Sequence, residues 1–277
     1  MAVSRLITGR SFLEGPRWHD SALYVSDMHG DAVLRVTEDG DVTTVVEVEQ
    51  PSGLGWLPDG TLLISAMTRR CVMRYDGSKL AVHADMSALA SHEINDMFVD
   101  RNGHAFIGQF GYDYGGGGAP VPVALLRVDP DGSVHEVARD LLFANGMVVT
   151  ADQSTLLVAE SFGKCITAFD LADDGSLINR RVWAELSDWP DGIAIDGDDG
   201  VWLAGPATDR FVRVVEGGEL TDIVDTPGRH AIACALGGAD GRTLFMLTAT
   251  TLGERDKSKA AMSAAIETVA VRVPAAT

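Results

Sequence analysis

Apolar residues along this chain gather in short, β-rich runs separated by polar turns, and the runs repeat. Six times a polar residue stands just before such a run, which is followed by a turn and a second run. These residues are Glu14, Ser52, Asn95, Asn145, Asp191 and His230, spaced at intervals of 38 to 50 residues. Gly follows four of them, at Gly15, Gly53, Gly146 and Gly192. The second run of each unit is the clearest, at residues 23–25, 61–64, 104–107, 155–158, 201–203 and 243–246. A third run follows in most units (33–36, 71–75, 124–128, 166–169 and 211–214), several leading into Asp-Gly or Gly-Gly turns. A fourth, such as 42–46 or 220–224, ends the unit. Four antiparallel strands repeated at this period predict an all-β, six-bladed β-propeller, and the absence of a linker between units makes residues 1–277 one domain.

Closure of the ring follows from the two ends of the pattern. The last unit has its third strand at 268–273 and lacks a fourth, while residues 4–8 form a spare strand before the first unit. The N-terminal strand is expected to complete the last blade and cover its exposed edge. Two segments break the repeat. Residues 111–122, rich in Gly and carrying Tyr112 and Tyr114, read equally as a lid or as a tolerated surface insertion, and residues 253–265 form a loop or short helix at the matching place in the last unit.

If the six units are equivalent, their leading polar residues converge at one end of the central axis. Glu14, Asn145 and Asp191 then supply two carboxylates and an amide oxygen, with Asn95 a fourth candidate. Such a hard, all-oxygen set suits calcium first, and magnesium, manganese or zinc less exclusively. Three or four protein ligands leave positions of a calcium shell open to water or substrate, as in a catalytic site. No Gly-x-Ser-x-Gly elbow, His-x-x-x-His pair or Gly-x-Gly-x-x-Gly fingerprint offers a different chemistry.

Composition narrows the partners. A net charge of −18 argues against nucleic acid and anionic membranes, since phosphate binding needs a basic face. Hydrophobic content of 46% with only 6% aromatic residues predicts a largely aliphatic core. The three cysteines, Cys71, Cys165 and Cys234, are odd in number and widely spaced, each in or beside an apolar run. That predicts reduced, packed thiols in a cytoplasmic protein. The first residues lack the apolar core of a signal peptide, and no apolar run approaches membrane-spanning length. The oligomeric state has no signature in the sequence.

The segments Leu13-Glu14-Gly15-Pro16-Arg17-Trp18, Asn95-Asp96, Ala144-Asn145-Gly146-Met147 and Trp189-Pro190-Asp191-Gly192-Ile193-Ala194, in that order, resemble the gluconolactonase and senescence-marker-protein (regucalcin) family. The resemblance runs through Cys234-Ala235-Leu236-Gly237-Gly238 and Arg242-Thr243-Leu244-Phe245, so it covers essentially the whole chain. It implies a six-bladed propeller holding one divalent cation through Glu14, Asn145 and Asp191, with Asn95 contacting substrate or a coordinated water. It also implies hydrolysis of a lactone, often a sugar lactone. The cation would polarise the ester carbonyl, with Asp191 or a water it orients as general base and Asn95 as the second catalytic group. His230 is a further candidate base. Sugar-lactone members often carry an Arg two residues before the position of Asn95, where this chain has Glu93. With Glu93, Tyr112, Phe143 and His230 as expected substrate contacts, and Phe12, Phe110, Tyr114 and Trp189 nearby, the surroundings are more apolar than a sugar demands. Two other functions share this architecture: phosphotriester hydrolysis on the same metal centre, and calcium binding without turnover.

Overall fold

The computed structural model describes residues 2–114, 116 and 118–276. It opens with a strand β1 (Ser4–Arg10). The first blade is β2 (Leu13–His19), β3 (Ala22–Asp27), β4 (Ala32–Val36) and β5 (Val42–Glu47). The second is β6 (Pro51–Trp56), β7 (Leu62–Ala66), β8 (Cys71–Tyr75) and β9 (Leu80–Asp85). The third is β10 (Ile94–Val99), β11 (Ala105–Gln109), β12 (Val123–Val128) and β13 (Val134–Leu141). The fourth is β14 (Ala144–Val149), β15 (Thr155–Glu160), β16 (Cys165–Leu171) and β17 (Leu177–Glu185). The fifth is β18 (Ile193–Ile195), β19 (Val201–Gly205), β20 (Arg210–Val214) and β21 (Leu220–Asp225). The sixth contains β22 (His230–Gly237), β23 (Thr243–Ala249), a short helix α1 (Arg255–Ala261) and β24 (Ala264–Ala270).

Each blade is a four-stranded antiparallel sheet, as the repeat predicts. The inner strands pack in a closed ring, β2 on β6, β6 on β10, β10 on β14, β14 on β18, β18 on β22, and β22 back on β2. The N-terminal strand closes that ring. Strand β1 is the outermost strand of the sixth sheet, with Ser4 opposite Thr268 and Arg10 opposite Ala264, and Arg5 bonding Glu267 at 2.8 Å. The boundary of its partner differs from expectation: β24 starts at Ala264 rather than 268. The run Ala260, Ala261, Ala264, Ala265 reads as helix by propensity, yet only its first part is helical. Tertiary pairing with Thr248 and Leu247 takes Ala265 and Ile266 into the sheet.

Packing is aliphatic and lies between blades, where Leu63, Ile64, Ile107, Leu126 and Leu157 are fully buried. Cys71 and Cys234 are buried and Cys165 half-buried, all three unbridged, in keeping with a packing role. The single helix among the described residues has seven residues, and no helix is long and apolar enough to cross a membrane.

Near the axis the backbones of neighbouring inner strands almost touch. A Cβ on Gly53 would lie 2.1 Å from the Met97 nitrogen, and one on Gly146 would lie 2.6 Å from the Ile193 nitrogen. The Gly after four of the six leading residues is therefore a spacing requirement of the ring rather than a turn signal. Gly53→Ala should cost about 3 kcal/mol in chemical denaturation, as overpacking against backbone does. A loss within about 0.5 kcal/mol would contradict this reading of the axis.

Candidate metal centre and cavity

The inner strands begin with a common register that fixes which side chains face the axis. Leu13, Pro51, Ile94, Ala144 and His230 lie opposite the last residue of the second strand: Asp27, Ala66, Gln109, Glu160 and Ala249. The next residue of each inner strand, Glu14 opposite Ser26 in the first blade, is the one presented to the axis. A register shift follows at once, between Glu14 and Arg17, Pro51 and Leu54, Ile94 and Met97, Ala144 and Met147, and Ala231 and Ala233. Such bulges re-aim side chains at the rim of a sheet. In the fifth blade Asp191 precedes the strand, and its nitrogen bonds the Ala204 carbonyl at 3.0 Å.

Five of the six expected positions are thus equivalent. The sixth is not His230 but Ala231, opposite Thr248 and fully buried. A slip of one residue turns a strand side chain to the other face. His230 accordingly places Nδ1 3.0 Å from the Pro206 carbonyl and 3.1 Å from an Asp209 carboxylate oxygen, with its side chain 34% exposed.

Glu14, Asn95, Asn145 and Asp191 converge on a cavity of about 240 Å³. Asn145 donates through Nδ2 to Ser161 Oγ (3.1 Å), which donates to the Pro190 carbonyl (2.8 Å), and the same amide bonds the Asp191 carboxylate. What Asn145 has left for a cation is its carbonyl oxygen. Asn95 accepts at Oδ1 from Ser52 Oγ (3.3 Å), so what it offers the cavity is its NH2 group. Two further serines stitch blades together behind these residues: Ser26 Oγ donates to the Ser52 carbonyl and Ser65 Oγ to the Asn95 carbonyl, each at 2.7 Å. Both are fully buried at matching points, next to last in their second strands, a small polar interruption that sequence reasoning passed over.

The electrostatics set this floor apart. Burial, followed by the nearby charges of Asp191 and Asp96, pushes the Glu14 carboxyl well above the usual range. Burial likewise pushes Asp191 up to about 7, partly offset by the Asn145 hydrogen bond. The nearest guanidinium is already engaged: Arg17 bonds Asp96 at 3.0 Å and also the Met97 carbonyl. No Lys, Arg or His among the described residues lines the cavity. Among the described residues no three His, Cys, Asp or Glu side chains form a cation cage, so the set on offer is the two carboxylates with the Asn145 amide. Two buried carboxylates without a counter-charge, joined by an amide oxygen, fit a hard divalent cation.

Aromatic rings wall the cavity above this floor. Phe12, Phe110, Tyr112, Tyr114, Phe143 and Trp189 all line it, as does Phe162, which the sequence reading missed. Residues 111–122 bring Tyr112 and Tyr114 inward, and Tyr114 approaches Gly253 so closely that a Cβ there would lie 3.0 Å from its phenol oxygen. The two segments that break the repeat therefore meet over the cavity. Glu93 stands behind the lining, its Oε2 accepting from the Tyr114 nitrogen at 3.4 Å and its carbonyl from the Phe110 nitrogen at 3.1 Å. His29 is fully buried against Phe12, its ring nitrogens without partners, and burial lowers its pKa to about 4.

The model of the SMP-30/Gluconolactonase/LRE-like region matches residues 12–250. The chain belongs to this family. It is 26% identical to the pentonolactonase XacC of Haloferax volcanii, over 93% of this chain and 90% of that one. It is also 26% identical to the 6-deoxy-6-sulfogluconolactonase of Pseudomonas putida, over 84% and 81%. A calcium-binding protein, regucalcin, from Agrobacterium tumefaciens shares the fold at a TM-score of 0.83 and 18% identity, covering 99% of this chain and 95% of that one.

With no cation bound, Glu14 and Asp191 oppose each other and the fold. Asp191→Asn should raise the Tm of chelator-treated protein by roughly 2–8 °C. The same change should shrink the Tm gain on adding calcium, read by scanning calorimetry. An unchanged calcium response would remove Asp191 from the centre.

Proposed function

We propose that this protein is a divalent-metal-dependent hydrolase that opens a lactone. One observation carries the reading: two buried carboxylates and an amide, from three different blades, meet at the floor of a cavity that no Lys, Arg or His among the described residues lines. Membership of the family and the lactonase names of its relatives support it. Glu14, Asn145 and Asp191 would hold the cation, with calcium the best match to an all-oxygen set. When bound, a divalent cation supplies Lewis-acid polarisation of the ester carbonyl and balances the charge that builds on its oxygen.

The residues divide the remaining work. Asn95, its oxygen held by Ser52, turns its NH2 toward substrate and orients the carbonyl or the attacking water. Asp191, or a water it orients, accepts a proton from the attacking water as the new C–O bond forms. The acyl–oxygen bond of the ring then breaks, and the departing ring oxygen takes the proton back. The product is the open hydroxy acid, with one water consumed. The aromatic walls exclude bulk water and strengthen each of these contacts.

The cation-free, aromatic lining would also admit a neutral phosphotriester, which keeps that substrate class as the second reading. Proton release from a lactone panel, with an organophosphate run in parallel, separates the two. Chelated protein should be inert and calcium should restore turnover. Asp191→Ala and Glu14→Ala should each lower kcat roughly a hundredfold to a thousandfold with the far-UV spectrum retained. Full activity in either variant would sink the proposal. Calcium binding without turnover of any ester would leave a binding protein.

A further inference from the structure

We propose that the lactone opened here carries an uncharged, apolar substituent, which lies along the aromatic wall from Phe110 to Trp189. This rests on the reading of the site as a lactone hydrolase and names the class of its substrate. The wall is continuous. Phe110 packs on Phe143 with ring centres 4.6 Å apart, Phe143 on Phe162 at 5.4 Å, and Phe162 on Trp189 at 6.2 Å. Tyr114 extends it on the other side of Phe110, at 4.8 Å. At the outer end Trp189 and Leu252 are 40% and 39% exposed, large apolar groups at the mouth of a cavity they both line.

Apart from the phenols of Tyr112 and Tyr114, the polar side chains of the lining are Glu14, Asn95, Asn145, Ser161 and Asp191, and several are already occupied. Ser161 is bonded to Asn145 and to the Pro190 carbonyl, and the Asn95 oxygen is bonded to Ser52. A polyhydroxylated ring reaching along Phe143 and Phe162 would give up water for benzene faces, with few partners for its hydroxyls. An alkyl or aryl group at the same place gains from burial instead. Charge points the same way. With no Lys, Arg or His among the described residues of the lining, a carboxylate, sulfonate or phosphate on the substituent would give up its hydration along the aromatic wall and find no counter-charge there. The anionic substrate implied by the name of the Pseudomonas putida relative would therefore be a poor one here.

The test is a series of γ-lactones bearing hydrogen, methyl, propyl, butyl and hexyl groups, assayed with glucono-δ-lactone and an ω-carboxyalkyl γ-lactone on calcium-loaded protein. Calorimetric titration with the matching γ-lactams, which resist hydrolysis, runs beside it. The expected result is a kcat/KM that climbs roughly threefold to fourfold per methylene and levels off as the chain passes Trp189. The carboxyalkyl lactone and gluconolactone should each fall at least tenfold below the butyl compound. Phe162→Ala should flatten the climb. A flat series, with gluconolactone turned over as fast, overturns the substrate class while hydrolysis stands. If no lactone is opened but lactam affinity rises along the series, the hydrolase reading fails and the apolar ligand class holds. Lactam affinity that ignores chain length overturns the proposal.

Discussion

Six strands can approach one axis only where the backbone of each tolerates its neighbour at contact distance, and the residues next to the axial side chains set that distance. Gly15, Gly53, Gly146 and Gly192 occupy places where a Cβ would fall 2.2, 2.1, 2.6 and 2.4 Å from atoms of an adjoining blade. The third blade departs from this, with Asp96 in the same place, buried and tied to Arg17 of the first blade. Tight approach brings the side chains one step earlier, Glu14, Asn95, Asn145 and Asp191, to the floor of one cavity. A bulge after the strand start turns Glu14, Asn95 and Asn145 there, and Asp191 is placed by the residues just before its strand. Fold and site are thus consequences of a single constraint.

That constraint has an electrostatic cost. Two carboxylates in a buried floor repel each other and lose solvation, and the guanidinium close enough to help is held by Asp96. Buried carboxylates so close together call for a cation or a proton between them. The hydrogen bonds of Ser52, Ser161, Ser26 and Ser65 hold the amides and strand starts in place while this charge remains uncompensated. Above the floor the chemistry changes abruptly to aromatic rings, giving a site that is polar at its reacting end and apolar along its length.

The blades were legible because each strand announces itself locally, through a short β-rich run and an Asp-Gly or Asn-Gly turn. Glu14, Asn95, Asn145 and Asp191 were legible because the same position recurs in every unit. His230 was misread for the same reason: in the last blade the axial residue is Ala231, which has no polar side chain to mark it, and its polar neighbour drew the eye. Ser26 and Ser65 went unnoticed because their partners are backbone carbonyls of the next blade, some 26 and 30 positions away. Phe162 was missed for lack of any repeat signal, since it follows the second strand of only one unit. The start of β24 at Ala264 depends on pairing with β23, which outweighs the helical propensity of its alanines.

In the proposed function Glu14, Asn145 and Asp191 form one cation site beneath the aromatic wall. Terbium luminescence tests it directly, because a hard trivalent ion seeks the same oxygen ligands as calcium and emits when excited through nearby Tyr or Trp rings. Tyr112, Tyr114 and Trp189 line this cavity. One sensitised terbium per chain is expected, displaced by calcium and lost when Glu14→Gln and Asp191→Asn are combined. Sensitised emission that survives the double substitution, or none at all in the wild-type protein, would contradict it.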